Sequence, residues 1–84
     1  MVSAVYTVRA AVDAQVTLRL LNLLAQRDFV PEMVRVRRLG DELSVVTEQS
    51  HLDEHMANIM AEKMRGLVTV SSVQIECRPE RAAA

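Results

Sequence analysis

Apolar residues in this chain change their spacing in a fixed order, and that order restricts the fold more than any single motif does. Over residues 4–12, Ala4, Tyr6, Val8, Ala10 and Val12 share one parity while Thr7 and Arg9 interrupt the other, which predicts a strand with one buried face. Val16, Leu20, Leu23, Leu24 and Arg27 then recur at helical spacing, in a stretch rich in Leu and free of Gly and Pro, so local preference and amphipathic pattern agree. Asp13 precedes this helix, and its carboxylate can accept from the free amides of the first turn. Asp28 follows it where a Gly would be usual, and Pro31, which lacks a backbone donor, prevents continuation.

The second half repeats the alternation of periods without repeating the sequence. Residues 33–39 read as an extended segment in which Val34 and Val36 alternate with Arg35 and Arg37. Gly40 and Asp41 supply a turn, and Leu43, Val45 and Thr47 begin a third strand that forms a hairpin with the second. Ser50 and Asp53 are both candidate caps for a second helix carrying Leu52, Met56, Ile59, Met60, Lys63 and Met64, which Gly66 closes. Val68, Val70, Val73 and Ile75 make a last strand, and Ser71 and Ser72 shift its alternation, the mark of a bulge or bend.

Two strand-helix-strand halves that must cross the same sheet assemble most economically into one architecture. The expectation is an α+β, ferredoxin-like βαββαβ sandwich: a four-stranded antiparallel sheet of order 4-1-3-2 with two helices on one face. Residues 1–77 would form this single domain and residues 78–84 a loose tail. In that order the second strand lies at a sheet edge, and pairing with a second copy would bury it. The expected dimer is side by side with one continuous sheet, Met33, Arg35 and Arg37 lying on the joining strand.

At 84 residues there is room for one core, and with Tyr6 and Phe29 as the only aromatics that core must be aliphatic. The formal net charge of −1 gives no overall pull toward nucleic acid or an anionic membrane. No apolar run approaches the roughly 18 residues of a membrane span, and no leader pattern is visible, so the chain reads as cytoplasmic. Cys77 is the sole cysteine, which predicts an inert thiol rather than a disulfide, redox motif or metal site.

Candidate chemistry is sparse. His51 and His55 stand at i, i+4 with Asp53 and Glu54 between them, a spacing that lets two imidazoles share a metal, but no third ligand is recognisable and two solvated side chains explain them better. Arg35, Arg37 and Arg38 form the one dense basic cluster; the exposed aromatics that stack bases in RNA-binding domains of this topology are missing, and edge solubility or partner contacts account for the charges. The adjacent carboxylates Asp41/Glu42 and Asp53/Glu54 point apart, and two glycines cannot build a phosphate loop. The chain is expected to bind rather than catalyse, with no catalytic residues, no metal and no cofactor. Met56, Met60 and Met64, at helical spacing, are expected to fill core rather than form an adaptable surface.

The stretch VTLRLLNLLAQRDF beginning at Val16, with Glu32 and Val34-Arg35-Val36 after it, resembles the first helix and second strand of ACT domains; Arg19, Leu20, Leu23, Leu24, Arg27, Phe29 and Glu32 fall on matching positions. The run KMRGLVTVSSV from Lys63 to Val73 is similar to the segment that closes the small regulatory subunits of acetohydroxyacid (acetolactate) synthase, and the likeness to the short, single-domain kind covers residues 5–76. The resemblance implies a non-catalytic activating subunit in branched-chain amino acid biosynthesis, bound to a thiamine-diphosphate-dependent catalytic subunit. It also implies a ligand loop at Val12, Asp13, Ala14, Gln15 and Val16. Amino-acid-sensing relatives carry N-x-x-G there, whereas Val12 supplies no amide, Asp13 opposes a carboxylate and Gln15 adds bulk. Feedback by an amino acid is therefore expected to be weak or absent. The alternative is a free-standing ACT-type dimeric sensor of an amino acid or other small metabolite. A nucleic-acid or metal module on the same topology ranks below both.

Overall fold

The computed structural model describes residues 1–80, so residues 81–84 of the expected tail lie outside the described residues. Six elements follow in order: β1 (Val2–Ala11), α1 (Val16–Ala25), β2 (Met33–Leu39), β3 (Glu42–Leu52), α2 (Glu54–Arg65) and β4 (Val70–Pro79). The strands form one sheet in the order β2-β3-β1-β4, every neighbouring pair antiparallel, which is the βαββαβ arrangement that the alternating periods predict.

The parity of β1 sets the core. Ala4, Tyr6, Val8 and Ala10 are buried and lie opposite Gln49, Thr47, Val45 and Leu43 of β3, while Tyr6 and Val8 face Ile75 and Val73 of β4. Onto this face pack Val16, Leu20 and Leu24 from α1 and Ala57, Met60, Ala61 and Met64 from α2. Ala57 and Ala61 bring α2 close to the sheet, close enough for the Tyr6 hydroxyl to donate to the Ala57 carbonyl at 2.8 Å. Met60 and Met64 are fully buried and Met56 packs against the same core, as their spacing requires.

The start of α2 and the end of α1 follow capping chemistry. The backbone amide of Met56 donates to Asp53 Oδ1 at 2.6 Å, so Asp53 is the cap of α2. Ser50 is not a cap; it belongs to β3, and its hydroxyl meets that of Ser3. Leu52 likewise leaves the helix assigned to it by its spacing and becomes the last residue of β3, 1% exposed, because a strand end pointing inward and a first helical turn share the same apolar signal. At the end of α1, Asp28 takes a left-handed φ of 58°; its amide donates to Ala25 and that of Phe29 to Leu24, the paired bonds by which a glycine would normally close a helix.

Other boundaries also differ from the sequence pattern. Val12 lies beyond β1 and is exposed, and Val68 lies in the loop before β4, 92% exposed. Arg78 and Pro79 continue β4 rather than starting a tail, since Val2 and Ser3 extend β1 far enough to pair with them. The serine shift is a bulge: Arg9 pairs with Ser72 and Ala10 with Val70, leaving Ser71 unpaired with its hydroxyl donating to the Arg9 carbonyl at 3.0 Å.

Candidate functional site

The sequence pattern singles out two features as candidate sites: the loop between β1 and α1, and the outer edge of β2. In the loop the backbone turns so that the Gln15 amide donates to Asp13 Oδ1 at 3.0 Å and the Val16 amide approaches the Asp13 carbonyl at 3.4 Å. Gln15 is the residue at the cap of α1, and its Oε1 accepts from Arg19 Nη2 at 3.1 Å one turn on. Val16 is buried in the core, while Val12 and Ala14 are exposed. The start of a helix favours a negative group through its free amides and dipole. Asp13 does not cap α1, contrary to the expectation from its residue type: its carboxylate accepts from the amide of Gln15, the cap residue itself, and no side chain bonds the amides of the first helical turn. Beside it Gln15, Leu18, Arg19 and Asn22 line a shallow groove of about 420 Å³ on the outer side of α1.

The sheet has two edges of different character. β4 is covered in part: Arg65 reaches from α2 to donate to the Val73 carbonyl at 3.0 Å, and the bulge at Ser71 interrupts the strand. β2 has no such cover among the described residues. Met33, Arg35 and Arg37 lie opposite Glu48, Val46 and Ser44, on the face of the sheet away from the helices. Val34 and Val36 lie opposite Thr47 and Val45 on the helix side, yet remain 39% and 45% exposed, because the helices cover the central strands and stop short of this edge. Arg38 turns back to donate to the Gly40 carbonyl.

Other candidate residues do not converge. His51, the next-to-last residue of β3, has a left-handed φ of 62° and contacts Glu80 at 2.8 Å, whereas His55 is an exposed residue of α2, so the helical i, i+4 spacing does not exist. Cys77 is half-buried against the core; burial, then the charge of Glu54, pushes its thiol pKa upward, away from reactivity. Two polar side chains lie in the core itself, Thr47, which the third-strand pattern includes, and Gln49, which the sequence reading did not single out: each is 1% exposed, and among the described residues Thr47 Oγ1 and Gln49 Oε1 have no hydrogen-bond partner. Their parity with Val45 was the signal. A wide polar depression of about 820 Å³ at the far end of the open face, lined by Ser3, Glu32, Glu48, Ser50, Arg78 and Glu80 among others, was also not anticipated.

A family model described as an ACT-like domain matches residues 1–82. The chain is an ACT-like domain. ACT domains are regulatory rather than catalytic, and many serve as parts of larger enzymes. The fold of this ACT-like domain is similar to that of the ACT domain from GTP pyrophosphokinase of Chlorobium tepidum, with a TM-score of 0.76 at 9% identity over 88% of this chain and 96% of that one. It is similar also to the C-terminal domain of the MgtC protein from Mycobacterium tuberculosis, with a TM-score of 0.75 at 11% identity over 100% and 95%. The regulatory subunit of aspartate kinase from Thermus thermophilus matches with a TM-score of 0.66 at 13% identity, over 93% of this chain and 50% of that one. At such identities the likeness is one of fold. No curated protein sequence matches significantly. Among the described residues no helix is long and apolar enough to cross a membrane.

Proposed function

We propose that this ACT-like domain is a non-catalytic regulatory subunit that acts by associating with an enzyme, namely the thiamine-diphosphate-dependent catalytic subunit of acetohydroxyacid synthase, and that it responds weakly or not at all to amino acids. The observation that carries the reading is the Asp13 carboxylate bonded to the Gln15 amide at 3.0 Å, at the place where a ligand carboxylate would be taken up. An incoming amino acid at the start of α1 would bring its carboxylate up beside that of Asp13. The motif likeness around Arg19 to Glu32 and Lys63 to Val73 supports the choice of partner. The exposed Val34 and Val36 support a homodimer joined through β2, and the Arg65 bond to Val73 disfavours β4 as the joining edge. Stabilising one state of the partner requires only differential affinity for it.

The test mixes the purified chain with an acetohydroxyacid synthase catalytic subunit. Activity should rise and valine should not reverse the rise; no co-purification and no change in activity would remove the proposed partner. The groove at Gln15, Leu18, Arg19 and Asn22 favours a second reading, a free-standing sensor in which Arg19 pairs with a carboxylate. Micromolar heats from a branched-chain amino acid in calorimetry would select that sensor and refute the weak-response reading.

A further inference from the structure

We infer that the proposed β2-to-β2 dimer builds, on its two-fold axis, a binding site for a phosphate-bearing small molecule from Arg35 and Arg37 of both copies; this rests on the dimer reading above. The argument is one of register. Two copies joined edge to edge by a two-fold axis perpendicular to the sheet keep their open faces on the same side, so directly opposed residues must share parity. With the axis at Val36, Arg35 of each copy stands opposite Arg37 of the other. With the axis at Arg35 or at Arg37, that arginine stands opposite itself. Every register that pairs most of Met33–Leu39 therefore sets at least one guanidinium against another on the open face, with the remaining arginines beside them.

Directly opposed like charges weaken a strand pair. Within one copy no ion pair offsets them: none of the four among the described residues uses Arg35 or Arg37. Of the acidic residues that β3 places along the open face, Glu42 is taken by Arg9 at 3.3 Å, and Glu48 lies opposite Met33 rather than opposite either arginine. The open face is not covered by the helices, so an anion can reach the axis from solvent. Guanidinium groups present planar pairs of donors that fit phosphate oxygens two at a time, and four of them about an axis suit a compact oxyanion of more than one charge. The ligand would convert a repulsive strand pair into a bridged one, so that its binding and dimerisation reinforce each other.

Sedimentation of the full chain, in chloride and in pyrophosphate at matched ionic strength, tests this directly, because matched screening leaves specific binding as the difference. Pyrophosphate should tighten the wild-type dimer at least roughly tenfold, equivalent to about 1.4 kcal/mol. The double variant Arg35→Gln/Arg37→Gln, altered at two exposed positions and checked for folding by circular dichroism, should dimerise in chloride at least as tightly as wild type and ignore pyrophosphate. Equal dimer constants for wild type in both anions would overturn the site while leaving the dimer standing. A double variant that still responds to pyrophosphate would place the anion elsewhere and overturn it as well. Monomers of both proteins under all conditions would sink the dimer and the site together.

Discussion

Replacing Tyr6 by Phe removes one hydroxyl from a fully buried position and separates two effects that oppose each other along the pH axis. At neutral pH the variant loses the 2.8 Å bond to the Ala57 carbonyl, while the ring keeps its packing between sheet and helices. The Ala57 carbonyl retains its place in the α2 ladder, so the loss is that of one neutral hydrogen bond, about 1 kcal/mol. For a domain of this size that lowers Tm by roughly 4–8 °C. At alkaline pH the sign reverses. Burial, reinforced by the charge of Cys77, pushes the phenol from its ordinary value of 10.0 up to about 12. A group whose folded pKa is raised stabilises fully below its unfolded pKa and loses that contribution as pH climbs to the folded one. Here the window is pH 10 to 12, and two pKa units correspond to about 2.7 kcal/mol. Wild type should therefore fall by up to about that amount across the window from this group alone, and Tyr6→Phe should not, so the two stability curves cross. Urea unfolding followed by circular dichroism at neutral pH and at steps through the window measures both limbs. Because the chain has one Tyr and no Trp, tyrosinate absorbance reports this phenol alone. Ionisation near pH 10 with the fold intact, or parallel profiles for the two proteins, would refute the reasoning.

Thr47→Val exchanges an unpartnered buried hydroxyl for a methyl of similar shape and should raise stability by about 1 kcal/mol, read as a higher urea midpoint at unchanged slope; a loss would show that Thr47 Oγ1 has a partner such as an internal water. Asp28→Gly relieves a side chain held at φ 58° at the end of α1 and should add roughly 0.5–1 kcal/mol in the same assay, whereas a destabilised variant would mean that the Asp28 carboxylate contributes more than its backbone costs.

The element order was legible because burial alternates from Ala4 to Ala10 on β1 and from Val45 to Gln49 on β3 and the helical stripes are uninterrupted. Where legibility failed, the physical cause is specific. Leu52 misled because an inward-facing strand end is indistinguishable by spacing from the start of an amphipathic helix. The end of β4 misled because Arg78 and Pro79 carry no strand preference and are held only by pairing with Ser3 and Val2, which are distant in sequence. At the site, Asp13 could be assigned to the start of α1 from its residue type, but its bond to the amide two residues on, and the role of Gln15 as the cap residue, depend on local backbone angles. The Arg65 reach to Val73 left no trace in composition or period, since a surface arginine of a helix reads as solvated.

That single arginine has a consequence for how large an assembly this chain can build. A sheet with two receptive edges adds copies head to tail without end, the route to filaments. With a guanidinium seated on a carbonyl of β4 and a bulge breaking its line, strand addition is disfavoured there, and in the proposed dimer the two-fold pairing would use up the other edge, β2. The proposed dimer would be a closed pair whose outward edges both belong to β4, a geometry that ends at two subunits and leaves the helical layers free for a different kind of neighbour.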